Sequence, residues 1–350
     1  MTTTLEHPSS SHGYETELID DGWHGTRIVH LRAATPTAVR VVDDALPAAL
    51  AREIYEYTMR IGQSWGTYVP LPSATAEESS PPAGTDGALF SMTRRLVQAI
   101  WLSGSDATEL LTPELHRVHG FALWANIGGV GEECAYHVDY AELHRRRTSL
   151  LHPPLLASTV HVAELDADAG DMAGGCFGVN TGGLQHYLQF GHHCVLKRHE
   201  PSALEYDWEN DSRWIKVSYR FRRAILMNGL LPHRATTISA MPEDKRRVVV
   251  GINVFDKSIG EQVAAAPVHS DAYRAAMREL QAFSRVSSGV SLASEQTTLV
   301  AVGGGEPTQK CSMCRSLVPS HLAPVLHEQQ LFCSVACLKT NRSKMLASTG

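Results

Sequence analysis

Between Phe121 and Phe255 the chain is built from short β-prone segments, and no other feature limits its fold as tightly. These are Phe121–Ile127, Ala157–Val162, Gly175–Val179, Trp214–Phe221, Ala224–Met227 and Arg247–Phe255, with Gly and polar turns between them. Many short strands with regular turn punctuation close into a β-sandwich or barrel. Helical elements flank them. The run Val39–Asp44 predicts a short strand, followed by a helix to about Ile61 on which Leu46, Leu50, Ile54 and Tyr57 share one face. A second helix is predicted over Ala88–Trp101 and a third over Ser270–Arg285, each with an apolar stripe. Residues 71–87, dominated by Pro, Ser, Ala, Thr and Gly, predict a surface loop.

The domain plan follows from these textures. Residues 1–20, rich in Ser, Thr and His, predict a mobile tail, 21–285 the main domain, and 286–308 a linker ending in Gly303-Gly304-Gly305. Residues 309–342 form a small cysteine-bearing module. A net charge of −6 and a pI near 6.3 argue against a nucleic-acid-binding surface. No stretch reaches eighteen uninterrupted apolar residues, so no membrane span is expected. The seven cysteines are odd in number and no secretory signal is evident, which predicts reduced thiols and an intracellular protein, cytoplasmic or nuclear.

Within the β-rich region, His137-Val138-Asp139 carries the most chemistry. Residues at i and i+2 on a strand point to one face, so His137 and Asp139 can share a metal ion. His233, after the segment Ala224–Pro232, would complete two imidazoles and one carboxylate, a set that leaves one face of Fe(II) open. Arg247 then opens an apolar strand, with Arg246 as its nearest rival for a cation facing the site. A shift of one residue would turn the side chain to the opposite sheet face.

Taken in order, His137/Asp139, Gly174-Gly175-Cys176-Phe177, Ala224 to His233 and Arg247 to Phe255 resemble the Fe(II)- and 2-oxoglutarate-dependent dioxygenases, most nearly the prolyl 4-hydroxylase-like branch. The resemblance covers residues 38–257 and implies an α+β fold, mainly β with flanking helices. Its core would be a double-stranded β-helix, jelly-roll or cupin-like. It implies Fe(II), 2-oxoglutarate and O2 as cofactor and cosubstrates, with ascorbate as a candidate reductant. Arg247 would pair with the far carboxylate of 2-oxoglutarate. The substrate would be a protein or a small molecule. The carboxylate of Asp139 favours hydroxylation, since halogenating relatives lack it.

The chain departs from the pattern at four places. Ile127 stands where the family often has a Tyr, leaving Asn126 or Trp124 as neighbours that can contact the cosubstrate. His161 stands near the position of a second Tyr, and Gly251 replaces a small hydroxyl residue. Residues 180–213 form an insertion. These departures keep open two alternatives, an inactive barrel and a cupin-like metalloenzyme that does not use 2-oxoglutarate.

Cys311, Cys314, Cys333 and Cys337 form CxxC and CxxxC pairs, spacing that lets four thiolates meet around Zn(II). So small a segment cannot bury a core, and the metal would supply its folding energy. It resembles short Phe-Cys-Ser and MYND-like zinc fingers, which implies a protein partner for this module.

Overall fold

The computed structural model describes residues 39–289, apart from 77–79, 82–85, 149, 184–185 and 188–209, with short strands on either side. Strands β1 (Thr16–Asp20) and β2 (Arg27–Leu31) pair antiparallel, and β1 lies inside the stretch expected to be a tail. Next come β3 (Arg40–Val42) and α1 (Ala48–Ile61). Helix α1 buries Leu50, Ala51, Ile54 and Thr58 and stops at Gly62, whose φ of 67° is the left-handed conformation that ends helices.

Two elements after α1 differ from the sequence expectation. Strand β4 (Trp65–Pro70) was not expected, and α2 (Leu71–Thr75) occupies the start of the expected loop. Helix α3 (Gly87–Val97) begins where the Asp86 carboxylate accepts the amide hydrogens of Ala88 and Leu89. It runs into a π-turn at Gln98–Leu102 and then α4 (Ser105–Leu111).

The β-rich region then supplies β5 (Val118–Gly128), β6 (Cys134–His137), the short helix α5 (Glu142–Thr148), β7 (Leu150–Leu151) and β8 (Leu156–His161). It continues with β9 (Ala173–Gly174), β10 (Phe177–Asn180), β11 (Trp214–Val217) and β12 (Ala224–Asn228). Last come β13 (His233–Ala235), β14 (Ile238–Ala240) and β15 (Arg247–Asp256), with helices Gly260–Ala265 and Asp271–Gly289 after them.

Two antiparallel sheets carry the architecture. The larger has strand order β3-β12-β8-β15-β5-β4 and the smaller β11-β10-β13-β6. From β5 onward the chain alternates between them: β5 large, β6 small, β8 large, β10 and β11 small, β12 large, β13 small, β15 large. That alternation is the connectivity of a jelly-roll, the double-stranded β-helix.

Strand β15 shows how the core orients the site. Its even-numbered Val248, Val250, Ile252 and Val254 are completely buried in the cluster that includes Ile54, Phe90, Leu96 and Trp101 of the helical layer. Burying each such side chain contributes about 1.5–3 kcal/mol. Because side chains alternate along a strand, that packing turns Arg247, Val249, Gly251 and Asn253 to the opposite face. Register is thus set by apolar residues and used by polar ones.

Candidate metal centre

His137 ends β6 and His233 begins β13, and the two are direct partners in the antiparallel register. Asp139 lies just beyond the end of β6, and Val138 between the two is buried against Leu151 and Tyr187. The structure therefore brings His137, Asp139 and His233 together, with their ligand atoms all within 4.8 Å of one another. Asp139 Oδ1 is 3.4 Å from His137 Nε2, and Oδ2 is 3.7 Å from His233 Nε2.

The backbone selects the imidazole tautomers. His137 Nδ1 lies 2.6 Å from the Ala135 carbonyl oxygen, and His233 Nδ1 lies 3.1 Å from that of Leu231. A carbonyl only accepts, so each Nδ1 must carry the hydrogen and donate it. Each Nε2 is left facing Asp139. At His137 burial acts to lower the pKa, but the hydrogen bond to Asp139 raises it well above the ordinary value. Without an ion this Nε2 therefore also carries hydrogen and donates it to the carboxylate, a hydrogen that a metal ion would displace. Burial, and then the neighbouring His137, pushes the His233 pKa down to about 4, which favours the neutral ring. Burial acts to raise the Asp139 pKa, but His233, His137 and a hydrogen bond from the Asn253 amide hold it below the usual carboxylate range. His233 as a neutral ring, His137 once its Nε2 hydrogen is displaced, and one carboxylate fit a ferrous ion.

His137 and Asp139 line a cavity of about 410 Å³ whose walls include Trp124, Tyr140, Asn253 and Tyr273; His233 is not among its lining residues. That volume suits a small molecule or one side chain of a larger substrate.

Arg247 and Arg246 separate cleanly. Arg246 is exposed and donates to the carbonyls of Glu243 and Lys245. Arg247 is 7% exposed, reaches only the Gly175 carbonyl at 3.5 Å, and has no carboxylate partner among the described residues. Its Nε is buried without a hydrogen-bond partner. Such a cation is ready for an anion. Gly128 and Gly175 leave room beside it, since a Cβ on Gly128 would lie 3.3 Å from Nε. Arg247 is not, however, among the residues lining the cavity in front of the triad.

His161 is buried, and its ring stacks on Tyr219 at 4.1 Å between centroids. Its Nδ1 accepts the Arg220 amide hydrogen, so Nε2 carries the ring proton. Burial, and then the Arg247 charge, pushes its pKa down to about 3. Asn126 is exposed and accepts a hydrogen bond from Ser64, away from the cavity lining. Gly251 has a steric explanation: a Cβ there would lie 2.3 Å from the Trp124 indole.

Of the cavity walls, Trp124 was expected from the sequence, whereas Asn253, Tyr140 and Tyr273 were missed. Asn253 does leave a signal, being the one polar residue between Arg247 and Phe255 and an even number of positions from Arg247. Cys311, Cys314, Cys333 and Cys337 lie outside the described residues, as does most of the 180–213 insertion.

No family model matches the chain, and no curated protein matches it in sequence. Solved structures overlap it loosely. A prolyl hydroxylase from Trichoplax adhaerens, in complex with a hypoxia inducible factor peptide fragment, is 10% identical with a TM-score of 0.37. The overlap covers 65% of this chain and 87% of that one. A Pseudomonas putida prolyl-4-hydroxylase is likewise 10% identical, TM-score 0.37, over 63% of this chain and 92% of that one. HygX from Streptomyces hygroscopicus, with nickel and 2-oxoglutarate bound, is 13% identical with a TM-score of 0.35. Here the overlap is 63% of this chain and 83% of that one. At such scores the likenesses carry no assignment, which rests on the site alone.

Proposed function

We propose that the chain is an Fe(II)- and 2-oxoglutarate-dependent oxygenase that hydroxylates a protein or small-molecule substrate. The observation that carries this reading is the convergence of His137, Asp139 and His233, the first two of which line a cavity. Iron with 2-oxoglutarate and O2 would supply insertion of one oxygen atom into a substrate C–H bond, the other atom leaving in succinate as CO2 is released. His137, Asp139 and His233 would hold the iron. Arg247 would neutralise the far carboxylate of the cosubstrate, and its buried, unpaired Nε supports that role. His161, neutral with its proton on Nε2, would offer a donor nearby. Trp124, Tyr140 and Tyr273 would exclude water and seat the substrate.

The test is succinate release from 2-oxoglutarate by purified protein in the presence of Fe(II). Turnover undiminished in Asp139→Ala would sink the assignment.

A second reading, a cupin-like metalloenzyme without 2-oxoglutarate, is favoured by one observation: Arg247 does not line the cavity. Calorimetry of Mn(II)-loaded protein separates the two, because only the first binds 2-oxoglutarate. For the C-terminal module we propose a Zn(II) site formed by Cys311, Cys314, Cys333 and Cys337, serving attachment of a protein partner.

A further inference from the structure

Asn253 is 3% exposed and lines the cavity together with Asp139. Its Oδ1 is buried with no hydrogen-bond partner. Buried polar atoms are paired in folded proteins almost without exception, so an orphan of this kind calls for a reason. Its neighbours in the sheet cannot supply one. Across the ladder Asn253 faces Ala122 on β5 and Ala157 on β8, which have no side-chain polar atoms. The amide therefore has partners only in front of it, where the carboxylate of Asp139 stands.

The chemistry of the two groups decides which end of the amide points where. An ionised carboxylate only accepts, and an amide offers donors from Nδ2 and acceptors from Oδ1. Turning Oδ1 toward Asp139 would set two acceptors against each other in a buried site. Turning Nδ2 toward it satisfies the carboxylate and leaves Oδ1 on the far side of the amide, buried without a donor, which accounts for the orphan. An apolar residue would suit the strand better, as Val250, Ile252 and Val254 show.

We propose that Asn253 is a positioning residue for Asp139: its Nδ2 holds the carboxylate toward His137 and His233, at the cost of an Oδ1 left buried and unpaired. The proposal rests on the metal-site part of the oxygenase reading. Groups that fix a metal-binding carboxylate raise affinity because the ligand need not be ordered when the ion arrives.

The experiment titrates Co(II), a spectroscopic stand-in for Fe(II), into the full-length protein and records affinity, the visible absorption of the bound ion and thermal stability. Asn253→Leu, similar in size, is expected to lower Co(II) affinity by about 10–100-fold and to alter the spectrum. Its stability is expected to hold or rise, because the unpaired oxygen is gone. Asn253→Ser, which keeps a donor, is expected to recover part of the affinity. Val249→Ala, a packing change on the same strand, should lower stability and leave the spectrum as it is. Co(II) binding by Asn253→Leu within twofold of wild type, with the same spectrum, would overturn the proposal and leave the metal site standing. Wild-type protein that binds no Co(II) would remove the metal site itself. If Asn253→Leu does not fold, Asn253→Ser against Asn253→Ala decides by the same affinity ratio, and equal affinities overturn the proposal.

Discussion

His137 and His233 face each other as register partners across two antiparallel strands, their ring centroids 4.4 Å apart, each held by Nδ1 to the carbonyl two residues before it. The same local device is used on both strands, so both rings present Nε2 to one point. Replacing either ring removes a ligand, not only a contact. His137→Ala and His233→Ala are each expected to weaken Co(II) or Fe(II) binding by more than about 100-fold, beyond the loss expected from a supporting residue. Equilibrium dialysis with metal analysis checks this. Full metal occupancy in either variant at micromolar ion would count against the triad.

Arg247 and Arg246 give a paired prediction, because Arg247 opens β15 with a buried side chain while Arg246, just before the strand, is exposed. Arg247→Ala removes a buried cation from a charge-assisted, two-pronged contact and is expected to raise the KM for 2-oxoglutarate by about 10–100-fold. Arg247→Lys should recover only part, since an ammonium lacks the fork. Arg246→Ala, at an exposed site, is expected to leave KM within about twofold. Equal effects of the two substitutions would contradict the assignment.

Much of this was legible in the sequence because the decisive signals are periodic. The apolar residues of Arg247–Phe255 fix one face of that strand, and the faces of Arg247 and Asn253 follow from counting by two. His137 and Asp139 come together although the strand ends between them. What could not be read was set by long-range contact. Strand β4 is an edge strand whose partner, β5, lies some fifty residues away, and α2 is a short helix inside a Pro- and Ser-rich stretch. Asn126 reads as a site residue only through the family resemblance, and in the fold Ser64, just before the edge strand, donates to its side chain. Gly251 reads as a missing hydroxyl, and only the position of Trp124 explains it.

The C-terminal cysteines make a separable prediction. If Cys311, Cys314, Cys333 and Cys337 bind zinc, elemental analysis of the full chain should find one zinc per chain that survives dialysis. Cys311→Ser with Cys314→Ser should abolish it. The unfolding temperature of the barrel is expected to stay unchanged, since the four lie outside residues 39–289. Zinc retained in that double variant would rule out the four-thiolate site.

Gly251 and Trp124 should be energetically coupled. Gly251→Ala forces a methyl group into the indole and is expected to cost about 1–3 kcal/mol by overpacking. Trp124→Ala costs packing on its own but makes the space. In a double-mutant cycle the alanine at 251 should cost much less when Trp124 is absent, a coupling of about 1 kcal/mol or more. Additive costs by denaturant unfolding would show that the two side chains do not compete for the same volume.

His161 predicts the acid limb of the stability curve. Its folded pKa of about 3 lies below the ordinary value of 6.5, first because it is buried and then because Arg247 is near. The unfolded chain takes up a proton at this ring as pH falls through about 6.5, while the folded chain does not. Stability from this group is therefore complete above pH 6.5 and is lost progressively as pH falls toward about 3. Between pH 6.5 and 5 the loss from this ring amounts to about 2 kcal/mol. His161→Gln, which keeps an acceptor for the Arg220 amide, removes the titration. Metal-free wild type is expected to lose about 2 kcal/mol more than this variant over that interval in urea unfolding, the other buried histidines contributing equally to both. Parallel curves for the two proteins would mean that the ring is protonated in the folded state and that the Arg247 charge is screened from it.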